Sequence, residues 1–300
     1  MKMIYHKPVM LSEAINGLKI NPRGVYVDVT FGGGGHSREI LKHLKSEGRL
    51  FALDQDQDAM SNKFDDYRLQ LIKGNFIDIK RHLKFYGVSS VDGILADFGV
   101  SSHQFDSAKR GFSTRFDGPL DMRMNYDALL DATHVVNEYD SNHLKILLTE
   151  YGELRDADKI VSKIIHARKD KPIKSTKDLI NLISPLIPGQ YFNKIIAKIF
   201  QAIRIEVNNE INAIKSFLEQ TIDLLKKNGR LVCISYHSLE DRLVKYFIRD
   251  GKFIGEASSD LYGNKNLPFK KVGKLITPSI YEIKKNSRSR SGKLRIGVRV

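Results

Sequence analysis

The chain has 300 residues, 41% of them hydrophobic, enough to bury a sizeable core, so a disordered polypeptide is excluded. A formal charge of +14 and a pI near 9.6 favour a polyanionic partner, nucleic acid or an anionic membrane surface. The single cysteine, Cys233, excludes an intrachain disulfide framework, a zinc cluster or a Cys-x-x-Cys redox pair, and with no signal-like segment in view the expected compartment is the cytoplasm.

Taken in order, "GVYVDVTF" predicts a first strand that ends in four glycines, and "SREILKHLKSEG" a helix with Ile40, Leu41 and Leu44 on one face. "RLFALDQD" predicts a second strand, "DAMSNKF" the start of a helix, "LQLIKGNF" a third strand, "FIDIKRHLKFYG" an amphipathic helix and "VDGILADFGVSS" a fourth strand. That alternation predicts a parallel, doubly wound α/β sheet. After about residue 105 it stops. An irregular stretch leads into helical patterns: "SNHLKILLTEYG", "DADKIVSKIIHARK", "STKDLINLISPLI" with Ser175 or Thr176 as N-cap, and one long run from Phe192 to Lys227. The β signal resumes at "GRLVCISY", and "KKNSRSRSGKLRIGVRV" reads as a basic loop feeding a last strand. An all-helical insert, residues 107–206, therefore interrupts an α/β domain made of residues 1–106 and 207–300.

Charge is uneven along the chain. Between Lys265 and Arg299 eleven Lys/Arg face one acid, Glu282, and between Tyr151 and Val207 eleven face six. The positive field centres on the C-terminal segment, and each phosphate it neutralises makes binding depend on salt.

A glycine loop between a strand and a helix puts backbone N–H groups and a positive helix end beside a ligand. The dinucleotide pattern G-x-G-x-x-G fails here, because its third glycine would fall on Arg38 or Ser37, and the phosphate loop G-x-x-x-x-G-K-[ST] is absent. What remains is a nucleoside ligand. Asp54 ends the second strand, where a carboxylate can accept both hydrogen bonds of a ribose diol; Phe76 follows the third strand and can pack on an adenine; Asp97 ends the fourth.

These positions lie in ordered blocks. "HKPVMLSEAI", "VDVTFGGGGHS", "LDQD", "GNF", "DGILADFGVSSHQ", "RGFS", "DGPLDMRM", "IFQAIRIEVNNE", "SYHSLEDRLVKYF" and "NSRSRSGKLRI" together resemble the bacterial 16S rRNA (cytosine-N4)-methyltransferase family, RsmH or MraW. The resemblance implies a Rossmann-like S-adenosylmethionine-dependent methyltransferase domain, an inserted helical domain for substrate recognition, and methylation of the exocyclic N4 of a cytidine in the decoding region of small-subunit rRNA. It implies cofactor contacts at Gly34, Gly35, His36, Asp54, Phe76, Asp97 and Gln104. Two departures, Gly33 where a larger and often basic residue is typical and His103 where proline is, concern loop shape. The implied partners are S-adenosylmethionine and 16S rRNA within the small subunit, with no membrane and no metal; a homodimer is left open.

Positioning supplies much of the acceleration in methyl transfer. The N4 lone pair is delocalised into the ring, so an acceptor for its protons is needed, and Asp97 in "DFGV" is the best placed, although the two prolines of the amino-methyltransferase motif [DNS]-P-P-[FYW] are missing. A C5 mechanism needs a cysteine nucleophile, and Cys233 sits in an apolar run, so C5 is disfavoured. In "SYHSLEDR", Ser238, Glu240 and Asp241 read equally as a helix cap with first-turn acids, which leaves His237 to contact the target base or its phosphate. Asp121 and Arg123 of "DGPLDMRM" either close over the cleft or pair with each other. The rivals are a non-catalytic RNA-binding protein, a nicotinamide oxidoreductase, which the failed glycine pattern weakens, and a DNA or protein methyltransferase.

Overall fold

The structure, a computed structural model, describes residues 8–255 and 267–300, so the motif residue His6 and the basic Lys265 lie outside the described residues. Contacts divide the chain into two compact units, Met1–Gly99 with Ile211–Val300, and Val100–Glu210.

The first part of the larger unit alternates strictly. Helix α1 (Leu11–Leu18) is followed by β1 (Val25–Asp28), α2 (Gly35–His43), β2 (Arg49–Asp54), the single turn α3 (Gln57–Met60), β3 (Leu69–Lys73), α4 (Ile79–Phe85) and β4 (Val91–Asp97). Strands rich in Val, Ile and Leu that are buried on both faces must be covered by helices on both sides, and their crossovers then force parallel pairing. Asp28 accordingly lies opposite Ala52 of β2 and Leu95 of β4, and Asp54 opposite Lys73 of β3.

The smaller unit is helical: α5 (Ser102–Asp106), α6 (Ala132–Glu138), α7 (Ser141–Glu150), α8 (Ala157–Asp170), α9 (Thr176–Ile183) and α10 (Phe192–Val207). Leu144, Leu147 and Leu148, at helical spacing on α7, pack with Ile160, Val161 and Ile164 of α8 and Ile199 and Phe200 of α10 into its core. Ser175 is the N-cap of α9 and forms a reciprocal box with Asp178.

The chain returns to the sheet through α11 (Glu210–Leu224), β5 (Leu225–Ser235), α12 (Ser238–Asp250), β6 (Phe269–Ile276), α13 (Ile280–Lys285) and β7 (Lys293–Arg299). The sheet order is β3-β2-β1-β4-β5-β7-β6, with β7 antiparallel to both its neighbours. Successive residues of β5 feed opposite cores: Leu231 and Cys233 join Phe217 of α11 and Phe247 of α12, whereas Val232 and Ile234 join Leu18 of α1 and Ile40 of α2. Strand order reverses beside β1, the switch point at whose carboxyl edge open α/β sheets bind ligands. Among the described residues no helix is long and apolar enough to cross a membrane.

Two expectations need correction. The run from Phe192 to Lys227 is not one helix: Asn209 adopts φ 50°, a left-handed conformation that asparagine tolerates, and the Asn208 side chain binds Met122 O and Met124 N at 2.8 and 2.7 Å. Its last residues, Leu225 to Lys227, already belong to β5. Strand β6, "FKKVGKLI", was not foreseen, because its lysines hide the strand periodicity; on the sheet edge they prevent pairing with another chain.

Candidate active site

The glycine loop is held by its own bonds before any ligand arrives. Gly34 N–H donates to Phe31 O at 2.7 Å, Asn62 to Gly32 O at 2.9 Å, and the Arg38 guanidinium to Gly33 O at 2.7 Å while lying 4.4 Å over Phe64. Gly32 and Gly34 have φ of 51° and 73°, which a side chain adopts only with strain. At Gly34 a Cβ would meet Phe31 at 2.9 Å, and at Gly35 it would meet Pro8 Cγ at 2.1 Å. At Gly32 it would meet nothing nearer than Thr30 O at 4.0 Å, so the space in front of that backbone is open to a ligand. Gly32 was missed in the sequence because positive φ has no local signature in a run of glycines.

Asp54, at the end of β2, ties this loop to the neighbouring strand. Its Oδ2 accepts Gly32 N–H at 2.8 Å and its Oδ1 accepts Asp56 N–H at 2.9 Å. Each oxygen keeps a second lone pair for the hydroxyls of a ribose. Burial pushes the carboxyl up to about 6 despite these donors, with Asp56 and Asp28 adding to the rise.

Asp97 ends β4 and is reached from both sides. Tyr236, after β5, donates its hydroxyl to Oδ1 at 2.8 Å, and His36 Nδ1 lies 3.9 Å from Oδ2. The Asp97 side chain is 22% exposed, enough for a ligand to touch, yet burial raises its pKa to about 6; the Tyr236 hydroxyl opposes the rise, and Asp28 and Glu240 add to it. Behind it runs a buried relay that sequence reading overlooked. Thr30 Oγ1 accepts Asp97 N–H at 2.7 Å, and Asp28, fully buried, accepts Ser37 Oγ at 2.7 Å and Thr30 N–H at 3.1 Å. The one signal was an acid inside the apolar run "YVDVTF".

The other expected residues divide sharply. His36 spends Nε2 on the Val9 carbonyl at 3.1 Å, and burial lowers its pKa, so the ring is neutral and braces the loop; what it can offer a ligand is its backbone N–H in the first turn of α2. Phe76 is half-buried, edge-on to Phe98 and Phe217 at 5.9 and 5.5 Å between ring centres. His237 is the N-cap of α12, where Ser238 had been read as the cap; Glu240 Oε2 accepts the Tyr236 and His237 N–H groups at 2.7 and 3.3 Å. The His237 side chain is 9% exposed, and neither ring nitrogen makes a hydrogen bond, although Nε2 lies 3.0 Å from Glu240 Oε1. Asp241 pairs with Arg295 at 2.7 Å.

Gln104, Asp121 and Arg123 belong to the helical unit. Gln104 Oε1 accepts Ser101 N–H at 2.9 Å in a capping box. Asp121 and Arg123 form a two-pronged pair, Oδ1 to Nε at 3.0 Å and Oδ2 to a terminal nitrogen at 2.7 Å, and Arg123 also donates to Tyr126 and Ala128 carbonyls, so the pair braces its own loop.

Cys233, in the middle of β5, is buried, and burial raises its thiol pKa. Native protein is expected to resist alkylation by iodoacetamide at pH 8, and Cys233→Ala to keep methyl transfer within about twofold; a rate loss beyond roughly a hundredfold would revive a cysteine mechanism.

A glycine loop opening a helix, an acid on the second strand and an acid on the fourth, all on one carboxyl edge of a 3-2-1-4-5-7-6 sheet, define an S-adenosylmethionine-dependent methyltransferase. The two carboxylates and the open face of Gly32 suit the diol and amino acid portions of that cofactor. The profile of the MraW methylase family matches residues 3–300, and the chain belongs to that family. Relatives named ribosomal RNA small subunit methyltransferase H are similar over nearly their whole length. The protein of Christiangramia forsetii is 56% identical over 98% of this chain and 97% of its own. That of Flavobacterium johnsoniae is 54% identical over 99% of both, and that of Cytophaga hutchinsonii 52% identical over 99% of this chain and 100% of its own.

Proposed function

We propose that this chain methylates the exocyclic N4 of a cytidine in the decoding region of 16S rRNA within the small ribosomal subunit. The observation that carries the reading is the Asp97 carboxylate, part-exposed at the switch-point edge and oriented by the Tyr236 hydroxyl. The names of the relatives supply the class of substrate, and the buried Cys233 argues against C5.

In this reading Asp54 holds the ribose diol, Gly34 and the first-turn N–H groups of α2 at Gly35 and His36 face the amino acid portion, and Phe76 flanks the adenine; the helical unit recognises substrate. S-adenosylmethionine held by these residues would supply an electrophilic methyl group to N4, with the sulfonium sulfur as leaving group. Asp97 accepts a hydrogen bond from the amino group and draws its lone pair out of conjugation. One N4 proton must leave, and His237 takes it. With Nε2 3.0 Å from the buried Glu240 carboxylate, Nδ1 is the ring nitrogen left without a hydrogen-bond partner, and a buried unpaired nitrogen costs stability that a proton-accepting task explains. His237→Gln is expected to lower turnover roughly a hundredfold while S-adenosylmethionine affinity holds. An unchanged turnover, or an equal loss in cofactor affinity, would remove His237 from proton transfer.

The direct test is transfer of labelled methyl to small subunits from cells lacking the enzyme, followed by nucleoside analysis. Label should appear in N4-methylated cytidine; label in any other nucleoside would overturn the assignment.

A further inference from the structure

Helix α13 and the 3-10 turn after it (Ser287–Ser291) take no part in that chemistry, yet the chain pins them beside it. Glu282 Oε1 accepts the Met10 N–H at 2.7 Å, and the preceding Val9 gives its carbonyl to His36 Nε2 at 3.1 Å. The strand that follows, β7, begins with Lys293 opposite Ser235, next to Tyr236. The element therefore sits on the carboxyl edge of the sheet, close to the acid that Tyr236 orients.

Its outer surface is unusual for so short a segment. Ile280 is 76% exposed and Tyr281 67%. Lys284, Lys285, Arg288 and Arg290 are exposed around them, and the Lys285 ammonium lies over one face of the Tyr281 ring, 4.3 Å from its centre. From Ser279 to Arg295 the only acid is Glu282, and its carboxylate is turned to Met10. A single exposed apolar side chain needs no explanation. An aromatic ring on a pinned element, rimmed by cations, has the make-up of a stacking platform for single-stranded nucleic acid: the ring accepts any base face and the cations meet the phosphates. An apolar protein partner would not call for that rim.

We propose that Tyr281 stacks an unpaired base of the RNA flanking the target nucleotide, with Lys284, Lys285, Arg288 and Arg290 on the adjoining phosphates. The proposal rests on the rRNA reading above and adds a second anchoring point, so that the strand delivering its cytidine to the Asp97 edge is held over α13.

The chain contains no tryptophan, so Tyr281→Trp creates a unique fluorophore. The probe is a single-stranded RNA oligonucleotide centred on the target cytidine, unlabelled for fluorescence and dye-labelled in parallel for anisotropy. Tryptophan emission should be quenched in step with the anisotropy rise. Tyr281→Ala should weaken RNA binding roughly tenfold, and Tyr281→Phe should restore it, with S-adenosylmethionine affinity and Tm unchanged in both. Undiminished emission at saturating RNA, or unchanged affinity in Tyr281→Ala, overturns the platform. If that happens while wild-type protein still methylates small subunits, the rRNA reading survives; if wild-type protein neither binds nor methylates RNA, both fall.

Discussion

Replacing Asp97 with alanine is expected to lower methyl transfer at saturating S-adenosylmethionine roughly a hundredfold or more, the range that a preorganised hydrogen-bonding group aimed at the reacting atoms contributes. Only the ionised carboxylate accepts fully, and its pKa lies at about 6, so wild-type turnover should fall as pH drops through about 6. Tyr236→Phe removes the hydroxyl donor that holds this pKa down and should move that acid limb to higher pH. Turnover of Asp97→Ala within a factor of two of wild type would exclude the residue from the chemistry. The same shift bears on stability with the opposite sign. The folded pKa is raised above the usual 3.8, so ionised Asp97 opposes folding above about pH 6, and the penalty vanishes as pH falls toward 4. Asp97→Asn, which keeps an oxygen for Tyr236, should therefore raise the Tm of the cofactor-free protein at pH 8 and lose that advantage at pH 4; a lowered Tm at pH 8 would contradict the penalty.

Asp54→Ala is expected to cost roughly a hundredfold in S-adenosylmethionine affinity, read by calorimetry, since two hydrogen bonds to a charged acceptor are lost at once. The loss has a second source, because Gly32 and Asp56 N–H lose the acceptor that fixes the loop. Cofactor affinity of the wild-type protein should weaken below about pH 6 as Asp54 protonates. Because Tyr236→Phe touches Asp97 alone, it should move the acid limb of turnover and leave that of binding in place. A dissociation constant for Asp54→Ala within twofold of wild type would sink the ribose assignment.

Much of this site was legible because its parts are local. Asp54 and Asp97 close apolar runs that could only be strands, and strand ends of a parallel sheet share one edge, so their placement on that edge followed from periodicity alone. Asn209 and strand β6 were not legible for the complementary reason. In "EVNNEIN" the helical spacing continues across a left-handed residue, and in "FKKVGKLI" the lysines that guard a sheet edge mask the alternation that marks a strand.

The deeper limit concerns what each polar side chain is used for. His36 was read as a ligand contact, and with its ring on Val9, 27 residues away, only its backbone N–H is left for that role. Tyr236 was passed over as part of a strand end, yet it orients Asp97 across 139 residues. Asp121 and Arg123 left two readings open, and the two side chains do pair with each other in a two-pronged geometry. By itself the sequence determined the alternating sheet, the helical interruption, the family and the strand-end acids, because short-range periodicity and ordered motifs carry that information. Tertiary structure alone decided which polar groups are spent on the fold and which remain for a ligand, because a buried donor or acceptor takes the nearest partner in space, and the chain order does not say which residue that will be.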